Sequence, residues 1–270
     1  MGEIVKKLAA KSQNTLTDLA TTKSRIGYTP LLLAGKIMAE DSADVTLSQL
    51  GAQLLDSLVV HGKCDPSAVV SKPKFPKANQ QFEEGRSAAH YLATGSNLSI
   101  LKALLEHKPR LDCLDKNGLS PLTAALDANQ HASAIALLEG GARVEFCAPN
   151  NDKQFILAPL VFACKRHGSK DATGKSINLM PAIKAMLEKI DDLNSVNPCP
   201  NTKMTPLMFA CQGAQDAALV KCLLLNRADV HAKDSNEKTA LHHAVLNTEP
   251  NAQVSQVVEL LLNGGANVTG

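Results

Sequence analysis

The chain has 270 residues, of which 44% are hydrophobic and only 3% are aromatic, with no Trp. Such a composition argues against a large aromatic-lined ligand pocket and suits close packing of helices rich in Ala and Leu. The 28 basic and 26 acidic residues nearly balance, so charge gives no reason to expect a nucleic-acid or membrane partner.

The seven cysteines are scattered and lack the paired spacing of a metal site or a disulfide framework. We therefore expect a reducing, intracellular setting, the cytoplasm, with no metal and no other cofactor. The first residues lack an apolar core of signal-peptide length. No apolar run is long enough to cross a bilayer.

The first predicted element is a helix within residues 3–24, where Ile4, Val5 and Leu8 fall on one face. A helix with one polar face is what the end of a stack of helices needs. We therefore expect residues 1–24 to form an N-terminal helical cap.

A helix is predicted to begin at Thr29-Pro30, because Thr offers an N-cap hydroxyl and Pro fits the first helical position. An insertion near 39–45 follows, and then a second helix over 46–60. Together these elements form a first predicted repeat at about 25–70.

Residues 71–84 are predicted to be an irregular loop, since Pro73 and Pro76 block regular structure there. This loop contains three lysines, Lys72, Lys74 and Lys77. They form a basic docking patch, a localisation-like signal or part of an ordinary solvated loop.

Five more helix pairs are predicted, at about 85–114, 115–146, 149–196, 197–233 and 234–269. The fourth is expanded by an insertion near 167–176 between its two helices, and the sixth has a smaller one at 249–251. Such insertions either form binding loops or are tolerated without a role.

A degenerate Thr/Ser-Pro-Leu segment begins most of these pairs. Pro121 lies 33 residues after Ala88, and Ala240 lies 34 residues after Pro206. A fixed period in the low thirties is the mark of a repeat array. Each pair closes on an apolar helix and a turn, as in Leu260–Val268 and Leu137–Val144.

These two halves resemble ankyrin repeats from about Arg25 to Thr269. The resemblance implies an all-α ankyrin-repeat solenoid of about six helix-turn-helix repeats, with β-turn or hairpin loops and insertions. It also implies a non-catalytic module that binds a partner protein through a concave groove and the hairpin tips.

In the family, partner contacts come from the turn tips and the exposed face of each first helix. Matched position by position, the candidate partner-binding residues are Tyr28, Lys36, Glu84, Arg86, Lys116, Asn117, Asp127, Phe155, Lys165, Arg166, Asn201, Met204, Gln212, Asn236 and Lys238.

Tyr28, Phe155, Leu157 and Met204 are predicted to be exposed apolar anchors, a role common at interface cores. For Phe155 and Leu157, packing beneath an irregular turn is an equal alternative. The basic residues on the same face predict a partner segment that is acidic and partly apolar. We expect the protein itself to be a monomer.

The sequence contains no enzyme motif that we can identify. His90 and His242 occupy the His position of the ankyrin core motif, where the family implies a structural hydrogen bond at the helix start. Cys164 and Cys211 are predicted to be buried thiols. A dyad such as Cys64 with His61 is a remote catalytic alternative.

Two further interpretations stay open. The chain is either a stand-alone interaction module or the substrate-recruiting or regulatory part of a larger enzyme truncated at residue 270. Irregular repeats with large insertions look like ankyrin proteins that intracellular bacteria deliver into host cytoplasm as effectors, although a divergent eukaryotic adaptor fits nearly as well.

Overall fold

The computed structural model describes residues 28–40, 45–61, 63–71, 83–145, 157–171, 173–196, 202–212, 216–246 and 252–267. Twelve α-helices and no β-strand occur in this described part. The predicted all-α class is therefore confirmed. The predicted N-terminal cap and the three lysines of the 71–84 loop lie outside the described residues.

The chain divides into two compact units, Met1–Ala142 and Arg143–Gly270. The helices of the first unit are α1 (Pro30–Glu40), α2 (Val45–Asp56), α3 (Ala88–Thr94), α4 (Leu98–Glu106), α5 (Pro121–Asp127) and α6 (His131–Glu139). Those of the second unit are α7 (Pro159–Arg166), α8 (Met180–Leu187), α9 (Pro206–Gln212), α10 (Ala217–Leu225), α11 (Ala240–Leu246) and α12 (Ala252–Asn263).

In the first unit the helices form two rows. Helices α1, α3 and α5 pack side by side, and α2, α4 and α6 form the second row behind them. Leu32 of the first row and Leu101 and Leu104 of the second row are fully buried. Helices of seven to nine residues are too short to be stable alone in water, so this burial is what holds them.

The second unit repeats the arrangement. Helices α7, α9 and α11 pack in a row, and α10 packs against α12. Leu160, Ile183 and Leu223 are fully buried. The predicted buried thiols Cys164 and Cys211 lie in this core at 1% and 0% exposure, as expected.

The helix starts follow the predicted chemistry. At α5, the Ser120 Oγ accepts a hydrogen bond from the Thr123 amide at 3.2 Å, and the Thr123 Oγ1 accepts one from the Ser120 amide at 2.6 Å. This reciprocal capping box satisfies two amides that the helix itself leaves unpaired. Pro121 then occupies the first helical position.

The second helix of the first repeat ends in an unpredicted way. Helix α2 stops at Asp56, and Ser57–His61 continue as a π-helix.

No described helix is both long enough and apolar enough to span a membrane.

Candidate partner-binding surface

An aspartate builds the hairpin tip that precedes α5. The Asp115 Oδ1 accepts hydrogen bonds from the amides of Asn117 and Leu119 at 2.9 and 3.0 Å. Asp115 also donates its own amide to the Leu119 carbonyl at 2.9 Å. Such an Asx turn fixes the tip before any partner arrives.

The tip before α11 has the same construction. The Asp234 Oδ1 accepts from the amides of Asn236 and Lys238 at 2.7 and 2.9 Å. Its Oδ2 also accepts from His243 Nε2 at 2.9 Å. Asp234 itself is buried, whereas the side chains of Ser235 and Asn236 at the tip are exposed.

Backbone hydrogen bonds join neighbouring tips. The Lys116 amide donates to the Glu84 carbonyl at 2.9 Å, and the Ser235 amide donates to the Thr202 carbonyl at 2.8 Å. We name Glu84, Lys116 and Asn117 the first tip row, and Thr202, Ser235 and Asn236 the second tip row. Apart from the half-buried Thr202, all of these residues are exposed.

The first helices contribute exposed ends to the same units. Asp127 at the end of α5, Lys165 near the end of α7 and Gln212 at the end of α9 are all exposed. Since the first helices pack side by side within each unit, Lys165 and Gln212 lie at corresponding positions of neighbouring helices.

Two residues expected to bind a partner are instead bonded within the chain. Glu83 Oε2 accepts hydrogen bonds from the Tyr28 hydroxyl at 2.6 Å, from Lys36 Nζ at 2.6 Å and from the Tyr91 hydroxyl at 2.7 Å. We call these four residues the Glu83 network. The Lys36 ammonium also lies 5.5 Å from the Tyr28 ring centre and 5.7 Å from that of Tyr91.

The network changes the acidity of its central carboxyl. Desolvation alone would raise the pKa of Glu83, but the hydrogen bonds from Lys36, Tyr28 and Tyr91 outweigh it and lower the pKa to about 2. Glu83 is therefore ionised at neutral pH. The positive charge of Lys36 is balanced inside the network.

Arg86 is likewise engaged. Its Nε donates to the buried Asp115 carboxylate at 3.4 Å, and its guanidinium lies 5.4 Å from the Tyr91 ring centre. Lys36 and Arg86 therefore do not supply free positive charge to the first unit. The expected basic character of the surface is not carried by these two residues.

The predicted exposure of two apolar anchors is wrong. Tyr28 is 7% exposed and Met204 is 6% exposed. Tyr28 is buried because its ring packs in a cluster with Leu32, Val70 and Tyr91. Leu157, Arg166 and Lys238 are half-buried. Phe155 and Asn201 lie outside the described residues.

Three lysines of the second unit differ from Lys36 and Arg86 of the first unit in having no carboxylate nearby among the described residues. Lys165 is exposed, and its ammonium lies 5.9 Å from the Phe209 ring centre. Within the described ranges, no carboxylate lies within ion-pairing distance of Lys165, Lys203 or Lys238. In the sequence, Lys203 follows Thr202 of the second tip row directly, and Lys238 lies two residues after Asn236 of the same row.

The two core-motif histidines have the structural role that was predicted. His90 Nδ1 accepts from the Ser87 amide at 3.0 Å, so Nε2 carries the proton and donates to the Leu119 carbonyl at 3.0 Å. His242 Nδ1 accepts from the Thr239 amide at 3.2 Å. Burial lowers the pKa of His90 to about 4, which keeps its ring neutral.

The other residues considered for catalysis, His167 and the Cys64–His61 pair, are also poorly suited to it. His167 is buried and bridges the Leu179 amide and Asp216. Burial raises the pKa of the Cys64 thiol, which disfavours the thiolate that a Cys–His dyad needs. His61, the suggested partner in that dyad, is exposed.

Sequence reasoning did not foresee the hydrogen bonds of Glu83, Asp115 and Asp234. Asp115 had a local signal, because Asp115-Lys116-Asn117-Gly118 recurs within the insertion as Asp171-Ala172-Thr173-Gly174, whereas Asp234 is followed by Ser235-Asn236-Glu237 and lacks the Gly. Asp171 Oδ1 accepts from the amides of Thr173 and Lys175, so the insertion contains a third tip of this type. Glu83 had no such signal.

Short helix pairs joined by hairpins define a helical repeat protein. A family model described as ankyrin repeats, three copies, matches residues 47–147 and 162–270. The chain therefore belongs to the ankyrin-repeat family. Ankyrin repeats are a protein–protein interaction scaffold and are generally non-catalytic.

Solved structures agree on the fold. The ankyrin repeat domain of Bcl-3, a member of the IkappaB family, is 19% identical, with a TM-score of 0.62 and coverage of 90% of this chain and 89% of that one. The human ASB11 ankyrin repeat domain is 23% identical, with a TM-score of 0.56 and coverage of 90% and 86%.

A third similar chain comes from a bacterial complex, that of the predatory endopeptidase Bd0816 from Bdellovibrio bacteriovorus with immunity protein Bd3460. It is 20% identical, with a TM-score of 0.55, and the match covers 82% of this chain and 99% of that one. At these identities the likenesses concern the fold.

Proposed function

We propose that this protein is a non-catalytic interaction module whose partner binds the tip rows and the exposed ends of the first helices. The observation that carries the proposal is the pair of backbone hydrogen bonds that join neighbouring tips, from Lys116 to Glu84 and from Ser235 to Thr202. They align exposed side chains from successive repeats into preset rows.

The second unit is the stronger candidate for the main contact. Lys165, Lys203 and Lys238 have no carboxylate partner in the described part of the chain, whereas Lys36 and Arg86 of the first unit are bonded to Glu83 and Asp115. A partner segment with acidic residues would therefore find unpaired positive charge in the second unit. The first tip row offers a polar surface of its own through Lys116 and Asn117.

The absence of catalysis is part of the proposal. The buried His90 and His167 already use both ring nitrogens for structural hydrogen bonds, and burial raises the pKa values of the Cys164 and Cys211 thiols. Such groups are poorly suited to proton transfer or nucleophilic attack.

The proposal is tested by capture with charge-reversed variants. Lys165→Glu combined with Lys238→Glu should abolish recovery of a partner that the unchanged chain retains in a pull-down. Lys184→Glu combined with Lys189→Glu is the matched control, because both lysines are exposed at or after α8 and outside the tip row. The control should retain the partner.

A cross-linking readout locates the contact. A photoactivatable residue at Asn236 should cross-link to the captured partner, while the same residue at Lys189 should not. Equal loss of binding in both charge-reversed pairs, or cross-links from Lys189 alone, would contradict the proposed surface.

The setting proposed for this activity is intracellular. Parallel captures from a eukaryotic lysate and from a lysate of the source cell distinguish an effector acting on host proteins from an adaptor of its own cell. Recovery of a tip-dependent partner from the eukaryotic lysate alone would support the effector interpretation.

A further inference from the structure

The insertion between α7 and α8 repeats the construction of the hairpin tips. The Asp171 amide donates to the Lys175 carbonyl, and the Gly174 amide donates to the Asp171 carbonyl, both at 2.9 Å. In the tip before α5, the amides of Asp115 and Gly118 make the corresponding bonds at 2.9 and 2.8 Å. Gly174 and Gly118 also share a positive φ, of +81° and +76°. We give the name insertion tip to Asp171, Thr173, Gly174 and Lys175.

The base of the insertion is fixed as well. Gly168, with a φ of +75°, donates its amide to the Ile177 carbonyl, and the Ile177 amide donates to the Ser169 carbonyl. This is the hydrogen-bond pattern of a G1 bulge, in which a left-handed glycine redirects one strand of a hairpin. His167, the residue before the bulge, is bonded to Asp216 at 2.9 Å. A partner therefore does not have to order the insertion tip, which favours binding.

The insertion and the end of α7 carry unpaired positive charge. Lys165, Lys170 and Lys175 are exposed, and among the residues that the structure describes no carboxylate lies within ion-pairing distance of them. Asp171 is the one acidic residue of the insertion in the sequence. Its Oδ1 is used to accept the amides of Thr173 and Lys175. The insertion therefore offers more positive than negative charge to a partner.

The insertion tip and the second tip row lie at opposite ends of the first helices. Hairpin tips precede these helices, whereas the insertion follows the end of α7 at Arg166. Helix α7 has eight residues and is therefore about 12 Å long. Since α7 packs beside α9, about four residues of an extended partner segment would span the distance from one end to the other.

We propose that the insertion tip is a second recognition arm, which binds the acidic partner segment from the end of α7 while the second tip row binds it from the start of α9. The inference rests on the proposed function and defines its partner more closely, as a protein segment with carboxylates about four or more extended residues apart. A protein segment is favoured over nucleic acid because the basic and acidic residues of the chain nearly balance and the insertion has no aromatic residue on which a base could stack.

Fluorescence anisotropy with a fluorescein-labelled polyglutamate peptide, at low ionic strength, tests the proposal on the full chain. Lys170→Glu combined with Lys175→Glu should weaken binding of this peptide by about tenfold or more. Lys184→Glu combined with Lys189→Glu changes the net charge equally, but both residues are exposed at or after α8. This control pair should weaken binding by no more than about twofold.

Two substitutions of Asp171 separate the shape of the tip from its charge. Asp171→Asn and Asp171→Ala remove the same negative charge, but only Asn keeps an oxygen that can accept the Thr173 and Lys175 amides. Asp171→Asn should bind the peptide at least as tightly as the unchanged chain. Asp171→Ala should bind it about threefold more weakly than Asp171→Asn, because the lysines of a loosened tip are no longer held in place.

The outcomes distinguish this inference from the proposed function. If Lys165→Glu with Lys238→Glu weakens peptide binding but the Lys170–Lys175 pair acts no more strongly than the control pair, the inference is overturned and the proposed function stands. No effect from either pair would contradict both. The inference is also overturned if the unchanged chain does not bind the peptide, or if the two Asp171 variants bind it equally. Tighter binding of a duplex DNA oligonucleotide, lost in the Lys170–Lys175 pair, would assign the insertion tip to nucleic acid instead.

Discussion

The Tyr28 hydroxyl donates a 2.6 Å hydrogen bond to Glu83 Oε2, although 55 residues separate them in the sequence. The same oxygen accepts from Lys36 and Tyr91, so one carboxylate ties residues of α1 and α3 to the hairpin before α3. Glu83 thereby holds repeat one against repeat two. It also engages the Tyr28 hydroxyl and the Lys36 ammonium within the chain.

Glu83→Gln should lower the free energy of unfolding by about 1–3 kcal/mol, because Lys36 loses its charged acceptor and one tyrosine hydroxyl loses a strong one. Urea unfolding followed by circular dichroism measures the change. Glu84→Gln makes the same chemical change at an exposed neighbour and should stay within about 0.5 kcal/mol of the unchanged chain. Equal losses in the two variants would show that the network does not stabilise the fold.

Stability should fall with acidification in two adjoining pH windows, which overlap slightly above pH 4. His90 has a pKa of about 4 in the fold and an ordinary value of 6.5, so the unfolded chain binds more protons between these values. Its contribution is therefore lost as the pH falls from about 6.5 to 4. The Glu83 contribution is lost as the pH falls from its ordinary pKa of 4.5 to about 2.

Melting temperatures measured across this range can assign the two windows. His90→Thr removes the titrating ring but keeps a capping side chain, as Thr123 does in repeat three. It should flatten the upper window and leave the lower one in place. Glu83→Gln should leave the upper window in place and reduce the lower one, to which Asp216 and Asp234, whose pKa values hydrogen bonds also lower despite desolvation, contribute as well. If the melting temperature of His90→Thr still falls as much between pH 6.5 and about 4, His90 is not the group responsible for that loss.

Much of the fold could be predicted from the sequence because its signals are local. The Ser120-Pro121 start, the apolar spacing of the second helices and the repeat period all lie within one repeat. The structural role of His90 and His242 was predicted from the family resemblance, and their partners are also local, since Ser87 and Thr239 are only three residues away.

The character of the surface was harder to predict because it depends on distant partners. Tyr28 stands just before the Thr29-Pro30 helix start, where the family makes partner contacts, but Tyr91 and Glu83 bury and bind it. Arg86 is held by Asp115, which comes from the next repeat. No pattern within a single repeat reports such pairings.

The insertion between α7 and α8 was located correctly, but its hairpin was not foreseen. Two backbone hydrogen bonds cross its base, from the Gly168 amide to the Ile177 carbonyl and from the Ile177 amide to the Ser169 carbonyl, both at 2.8 Å. Asp171 fixes its tip. The Asp-x-x-Gly pattern would have indicated this turn, because Gly174 supplies the positive φ that the turn requires.

Gly85 and Gly174 allow backbone strain to be separated from steric clash. Both have φ of +81°, but a Cβ at Gly85 would lie 2.3 Å from the Leu114 carbonyl oxygen, whereas one at Gly174 meets nothing within 4 Å. Gly174→Ala should cost about 1–2 kcal/mol of unfolding free energy from the left-handed conformation alone. Gly85→Ala should cost a further 1–3 kcal/mol, roughly, from overpacking. Chemical denaturation of both variants gives the comparison, and equal costs would mean that the hairpin before α3 shifts freely.

His167 should anchor the insertion to the rest of the second unit. Its Nδ1 accepts from the buried Leu179 amide at 3.0 Å, so the proton sits on Nε2, which donates to Asp216 Oδ2 at 2.9 Å. Asp216 Oδ1 meanwhile caps α10 by accepting from the Ala218 amide at 2.8 Å. One buried ring thus joins the start of α8 to the start of α10.

His167→Ala should lower the free energy of unfolding by at least about 1–3 kcal/mol, because the Leu179 amide loses its acceptor in a buried place. Asp216→Asn should cost less, about 0.5–1.5 kcal/mol, because one amide oxygen can replace only one of the two acceptors. Lys170→Ala, an exposed change in the same insertion, should have almost no effect. Hydrogen exchange at Leu179 provides the direct measurement, since its amide should exchange faster in His167→Ala and at the unchanged rate in Lys170→Ala. An equal rate in both variants would show that His167 does not hold this amide.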